Sequence, residues 1–124
     1  MIEKHKLLVV DDDEAVIDFL HAKLGESYDI VSTNAPENVI ELARRENPSL
    51  ILCDVDMPGM DGGDVSRALY DDAEVRAIPV LFITALVSPA EMRRLNHQMA
   101  GRPAISKQAP LSELAKKIET LTAS

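Results

Sequence analysis

The sequence has one cysteine, no tryptophan, two tyrosines and two phenylalanines among its 124 residues. The single thiol, Cys53, excludes an internal disulfide and a metal site built from several cysteines. No apolar run approaches the ~18 residues of a membrane helix, and the N-terminus lacks the apolar segment of a secretion signal. We therefore expect a cytoplasmic protein, without membrane insertion, whose core is built from aliphatic side chains.

Positive charge is also scarce, because the formal net charge is -8 and the pI is about 4.8. A surface of this sign repels nucleic acid and anionic membranes, so we expect neither as a partner. It is compatible with a divalent cation, although an acidic balance alone mostly serves solubility. The length suits one core, and we predict a single domain over residues 1–124 with no output domain.

Uninterrupted apolar runs alternate with helical patterns along the chain. The runs cover residues 7–10, 50–53 and 80–83, with weaker strand candidates at 28–31 and 104–106. Apolar runs without polar alternation are typical of strands buried on both faces of a parallel sheet. Helical spacing follows each strand, and the fourth helix has Met92, Leu95 and Met99 on its apolar side. Five strands alternating with five helices predict an α/β fold, a three-layer αβα sandwich around a parallel sheet.

Polar residues stand at the carboxyl ends of these strands, where open α/β sheets place their ligands. They are Asp11 and Asp12 after the first strand, Asp54 after the third, Thr84 after the fourth, and Lys107 after the last. Such ends lie along one sheet edge, so residues far apart in sequence converge there. Three carboxylates would repel one another unless a cation joined them, and Mg²⁺ prefers carboxylate and phosphate oxygens. The three carboxylates, one Mg²⁺ and one lysine have zero net formal charge.

A carboxylate held in this way can act as a nucleophile toward phosphorus and form an aspartyl phosphate. Lys107 and the metal would stabilise charge on the transferring group, and the Thr84 hydroxyl would hydrogen-bond to it afterwards. Taken singly, acidic residues after a strand are most often helix caps, and a lone lysine is usually solvated. Asp54 is different, because a carboxylate that follows four buried positions needs partners.

In this order, the motifs resemble the receiver domain of bacterial two-component response regulators over nearly the whole chain. The matching segments are residues 7–12 (Leu-Leu-Val-Val-Asp-Asp), Asp54 with 57–62 (Met-Pro-Gly-Met-Asp-Gly), 82–85 (Phe-Ile-Thr-Ala), and Lys107. The resemblance implies a flavodoxin-like fold with strand order 2-1-3-4-5 and Asp54 as the phosphoacceptor. It further implies that Mg²⁺ binds Asp11, Asp12, Asp54 and the backbone carbonyl of Asp56, with Thr84 as switch hydroxyl and Lys107 as phosphoryl contact.

The resemblance also implies the protein's partners. A sensor histidine kinase or a histidine phosphotransfer protein would supply the phosphoryl group. The protein would then bind a downstream partner, or pass the phosphate onward, through the fourth helix, last strand and last helix. On this interpretation the protein is a signalling module rather than a conventional enzyme, limited to self-catalysed phosphotransfer and autodephosphorylation. The sequence leaves open whether it forms a homodimer.

Two positions depart from the family pattern. Receivers usually carry an aromatic residue three positions before the lysine, where this chain has Ala104. The lysine is usually followed by proline, where this chain has Gln108. We therefore expect intact phosphorylation chemistry and a switch that does not depend on an aromatic rotamer.

Three other functions are compatible with parts of the pattern. The Asp54-Val55-Asp56 motif also resembles the nucleophile motif of haloacid-dehalogenase-type phosphohydrolases, but Met57 follows it and the chain has no room for a cap. A flavin-binding electron carrier would need a phosphate loop after the first strand, where this chain is acidic. A phosphorylation-silent docking module would be expected to lack an essential acidic or basic group, and none is missing.

Overall fold

The computed structural model describes residues 4–123 as six strands and five helices. The strands are Lys6–Val10 (β1), Asp29–Thr33 (β2), Leu50–Asp54 (β3), Val80–Thr84 (β4), Gln98–Met99 (β5) and Arg102–Ser106 (β6). The helices are Glu14–Leu24 (α1), Val39–Glu46 (α2), Gly62–Tyr70 (α3), Pro89–Arg94 (α4) and Leu111–Thr122 (α5), with a 3₁₀ turn at Pro36–Asn38. No helix within this part of the chain is long and apolar enough to span a membrane.

The sheet has the strand order β2-β1-β3-β4-β6-β5. All neighbouring pairs are parallel except β5 and β6, which form an antiparallel hairpin. The five longer strands have the order predicted above, so the α/β fold is confirmed. The two-residue strand β5 is an addition at the sheet edge that the sequence pattern did not predict.

The fourth helix is shorter than its hydrophobic spacing predicted. It ends at Arg94, and of the three residues assigned to its apolar side, Met92 is buried, Leu95 is 44% exposed and Met99 lies in β5. The chain leaves the helix because Asn96 and His97 both have positive φ angles. Such backbone cannot continue a right-handed helix, and asparagine adopts it more readily than most residues. The assignment of Leu95 and Met99 to the core side of this helix was therefore wrong.

Two apolar clusters cover the two faces of the sheet. Alternate residues of each central strand point to opposite faces, so that Leu8 and Val10 join one cluster while Leu7 and Val9 join the other. Helices α2, α3 and α4 supply the first cluster, and α1 and α5 supply the second. This arrangement forms the predicted three-layer sandwich and buries Cys53 as a small apolar residue.

Candidate functional site

Two buried carboxylates lie side by side at the carboxyl edge of the sheet. Asp54 is the last residue of β3, and Asp11 follows β1, the neighbouring strand, so parallel pairing brings them together. Asp11 is fully buried and Asp54 is 5% exposed. Burial and the nearby Asp11 charge raise the pKa of Asp54 to about 6, although Lys107 and the Asp56 backbone N–H oppose this shift.

Lys107 supplies the positive charge at this edge. Its Nζ lies 2.8 Å from Asp11 Oδ2 and 3.5 Å from Asp54 Oδ1. Burial opposes the charged ammonium, but the close contact with Asp11 and the charges of Asp11 and Asp54 outweigh it and raise the pKa of Lys107 above its usual value. The backbone also positions this residue, since Lys107 N donates to Thr84 O at 2.7 Å. One lysine therefore faces two buried carboxylates, which leaves a local negative charge.

The donor set fits a hard divalent cation. Carboxylate oxygens of Asp11, Asp12 and Asp54 all lie within 4.8 Å of one another. Asp11 Oδ1 accepts a hydrogen bond from Asp13 N, whereas Oδ2 is buried and accepts no well-aligned hydrogen bond within residues 4–123, despite the nearby Lys107 ammonium. Asp12 is exposed and gives the cluster an open side. Oxygen ligands with a solvent-facing side suit Mg²⁺, which usually keeps several waters.

Two hydroxyl groups lie at the ends of adjacent strands on the other side of Asp54. Thr84 and Ser106 are paired in the register of β4 and β6, and both are buried. Thr84 Oγ1 accepts a hydrogen bond from Leu86 N at 2.9 Å. Ser106 Oγ donates to Val87 O at 2.7 Å and accepts from Gln108 N at 3.1 Å. The sequence analysis predicted Thr84 at this edge but missed Ser106. Its position directly before Lys107, at the end of a strand, could have indicated it.

A tight loop follows β3 at the edge of the site and carries Asp56. Gly59 has a φ of 80°, and Asp61 begins α3 through a capping box with Asp64. Gly62 N donates to Val55 O at 2.7 Å, which folds the loop back against the strand end. The side chain of Asp56 is exposed, so a metal contact through its backbone carbonyl stays a prediction.

Ala104 stands at the position where receivers usually carry an aromatic ring, three residues before Lys107. Its side chain is buried and lines a cavity of about 390 Å³ between α4, β6 and α5. Met92 and Ile105 contribute to the apolar lining, and Lys116 and Lys117 stand among its polar residues. All peptide bonds in residues 4–123, including that between Lys107 and Gln108, are trans.

Comparison with known proteins gives consistent matches. The family model for the response regulator receiver domain matches residues 7–119. Response regulator PleD of Caulobacter vibrioides is 48% identical over 82 residues, which cover 65% of this chain but only 18% of PleD. The polar-differentiation response regulator DivK of Brucella ovis is 31% identical over 90 residues, covering 72% of this chain and 73% of DivK.

A solved structure agrees with the same fold. The BeF3-activated N-terminal receiver domain of RstA from Klebsiella pneumoniae superposes with a TM-score of 0.79 at 28% sequence identity. This match covers 96% of this chain and 99% of that domain. The shared fold therefore includes the whole sheet, the helices on both of its faces and the strand ends that carry the acidic cluster.

Proposed function

Because this chain belongs to the response regulator receiver family, we propose that it accepts a phosphoryl group on Asp54 in a Mg²⁺-dependent reaction. Receiver domains are signalling proteins of two-component systems, in which histidine kinases or phosphotransfer proteins are the donors. One observation carries the proposal: Asp54 lies in one cluster with Asp11 and Asp12, and the Lys107 ammonium contacts both Asp11 and Asp54. These groups suit the roles of a nucleophile, cation ligands and a phosphoryl-contacting ammonium.

The transfer follows from the positions of these side chains. An oxygen of Asp54 attacks the phosphorus of a phosphohistidine, the bond from phosphorus to the imidazole nitrogen breaks, and its electron pair returns to that nitrogen. Asp54 must be ionised to attack, and a pKa of about 6 leaves it mostly ionised at neutral pH. Lys107 Nζ, 3.5 Å from Asp54 Oδ1, donates to an oxygen of the transferred group. Mg²⁺, held by Asp11, Asp12, Asp54 and the carbonyl of Asp56, supplies further charge neutralisation when bound.

The phosphorylated state is communicated through the segment after β4. The Thr84 hydroxyl turns to hydrogen-bond with the new phosphoryl group, which releases Leu86 N from its 2.9 Å hydrogen bond. The residues before α4 then rearrange, and the surface formed by α4, β6 and α5 presents a different face to a downstream protein. This route needs no aromatic ring at position 104. An Ala104→Tyr variant should therefore show the same Mg²⁺-dependent chemical-shift response to BeF3⁻ as the wild type, and an enlarged response would contradict this route.

The acceptor assignment is tested by labelling with acetyl phosphate, followed by intact mass measurement. We expect one phosphoryl group on the wild type in Mg²⁺, none in EDTA, and none on Asp54→Asn. Asp18→Asn, an exposed carboxylate on α1, is the matched control and should be labelled like the wild type. Equal stable labelling of Asp54→Asn would refute the assignment. Rapid multiple turnover of an alcohol phosphomonoester by the wild type would favour the phosphohydrolase instead.

A further inference from the structure

A second, basic recess lies outside the acidic site, between α3, the segment that follows it, and the β5–β6 hairpin. It is an open depression of about 700 Å³. Three arginines line it: Arg67 from α3, Arg76 from the following segment, and Arg102 from β6. No carboxylate contributes to this lining, although the chain carries a net charge of -8. The recess is therefore a locally positive surface on an acidic protein.

The arginines of the recess are available to a ligand. Within residues 4–123, none of the three forms an ion pair closer than 4.0 Å. The nearby Asp72 carboxylate pairs with Arg44 instead. Three arginines that line one recess, with no carboxylate among the lining residues, favour the binding of an anion there. Planar guanidinium groups also bind phosphate oxygens through two parallel hydrogen bonds.

Two contacts hold the recess in shape. Arg102 Nε donates to Ser66 Oγ at 3.1 Å, which orients the guanidinium group and leaves its terminal nitrogens for a ligand. The Tyr70 side chain is 68% exposed, and the Arg76 guanidinium lies 5.8 Å from the centre of its ring. An exposed ring beside cationic groups is suited to stack a planar base, as in many nucleic-acid-binding surfaces.

The hairpin turn that completes the recess is strained. Ala100 and Gly101 connect β5 to β6, and both have positive φ angles, 51° and 74°. Glycine adopts a positive φ angle without cost, whereas the Cβ atom of Ala100 makes this backbone conformation unfavourable. Strained backbone concentrates at ligand sites, where the surrounding structure maintains it. Here the turn places Arg102 opposite the α3 residues Ser66 and Arg67.

We propose that this recess binds a nucleoside diphosphate, with its phosphates between the guanidinium groups and its base against the Tyr70 ring. The ligand is a small molecule, because the acidic remainder of the surface would repel a long polyanion. None of the recess residues belongs to the acidic site, so the proposal does not depend on phosphorylation at Asp54.

The proposal is tested by titrating the full chain with GDP and with ADP at low ionic strength, by calorimetry and amide chemical shifts. EDTA is present so that metal at the acidic site cannot recruit phosphate. We expect saturable 1:1 binding of at least one nucleotide, with shifts concentrated at the recess. Arg67→Gln and Arg102→Gln should each weaken binding about tenfold, as expected for loss of one charge-assisted phosphate contact. Arg94→Gln, with the same charge change on the exposed side of α4, should change affinity less than twofold.

Pyrophosphate and Tyr70→Leu separate nucleotide recognition from general attraction of anions. We expect pyrophosphate to bind more weakly than the nucleotide, and Tyr70→Leu to weaken only nucleotide binding. Because Tyr70 is exposed, this variant keeps the fold and serves if an arginine variant fails to fold. The proposal is overturned by no saturation at millimolar nucleotide, by equal weakening in Arg94→Gln, or by pyrophosphate binding as tightly as GDP and ADP.

Discussion

Replacing Asp54 by asparagine should stabilise the metal-free protein at neutral pH. The pKa of Asp54 is about 6 because burial and Asp11 disfavour its ionised form, whereas an unfolded aspartate has its ordinary value near 3.8. Two pKa units correspond to about 3 kcal/mol, an upper limit because water and counterions reach this sheet edge. Asparagine has nearly the same shape and no charge. We therefore expect Asp54→Asn to raise the free energy of unfolding by ~1–2 kcal/mol at pH 7.5 in EDTA.

The stabilisation by Asp54→Asn should depend on pH. Between about pH 4 and 6 the folded protein retains the Asp54 proton that the unfolded chain has lost, so wild-type stability falls as pH rises through that window. The advantage of Asp54→Asn should therefore be nearly absent at pH 4 and reach its full size above pH 6. Mg²⁺ should reduce the advantage at pH 7.5, because binding to the folded wild type stabilises it.

Urea unfolding followed by circular dichroism measures these free energies at several pH values, with and without Mg²⁺. Asp18→Asn is the matched control, since this carboxylate is exposed on α1, and we expect a change within ~0.5 kcal/mol at every pH. If Asp54→Asn lowers the free energy of unfolding at pH 7.5, or changes it equally at every pH, then ionised Asp54 does not destabilise the folded protein.

Three further predictions about the local structure are tested by the same unfolding assay. Gly62→Ala should cost ~1–3 kcal/mol, because its Cβ would lie 3.1 Å from the Phe82 ring and 3.2 Å from the Val55 backbone. Gly63→Ala is the control and should cost less, because its Cβ would meet only one side-chain atom, Asp61 Oδ1 at 3.3 Å; equal costs would contradict the packing argument. Ala100→Asn should stabilise by ~1 kcal/mol, since asparagine suits the positive φ of this turn; a loss would contradict the strain. Lys107→Met should cost ~2–4 kcal/mol in EDTA, because it leaves a buried carboxylate unpaired, and a neutral result would argue against that ion pair.

Local sequence pattern determined most of the sheet and its reactive edge. Apolar runs such as residues 50–53 show burial on both faces directly, and the abrupt change to Asp54 marks the strand end. The carboxyl ends of parallel strands lie along one sheet edge, which predicted that Asp11, Asp54 and Lys107 converge, while the order of the strands came from the family resemblance. These features depend on residues adjacent in sequence and on the shared edge of parallel strands, so they can be predicted without the tertiary structure.

The tertiary structure alone decided the features that depend on distant neighbours. The helical spacing through Met99 did not predict that left-handed backbone at Asn96 and His97 ends the helix. Met99 still packs against the first apolar cluster, but from strand β5. The raised pKa of Asp54 requires both its depth and the distance to Asp11, which no spacing encodes. The arginine recess likewise joins a helix, a connecting segment and a strand, whose guanidinium groups become neighbours only when the hairpin folds against α3.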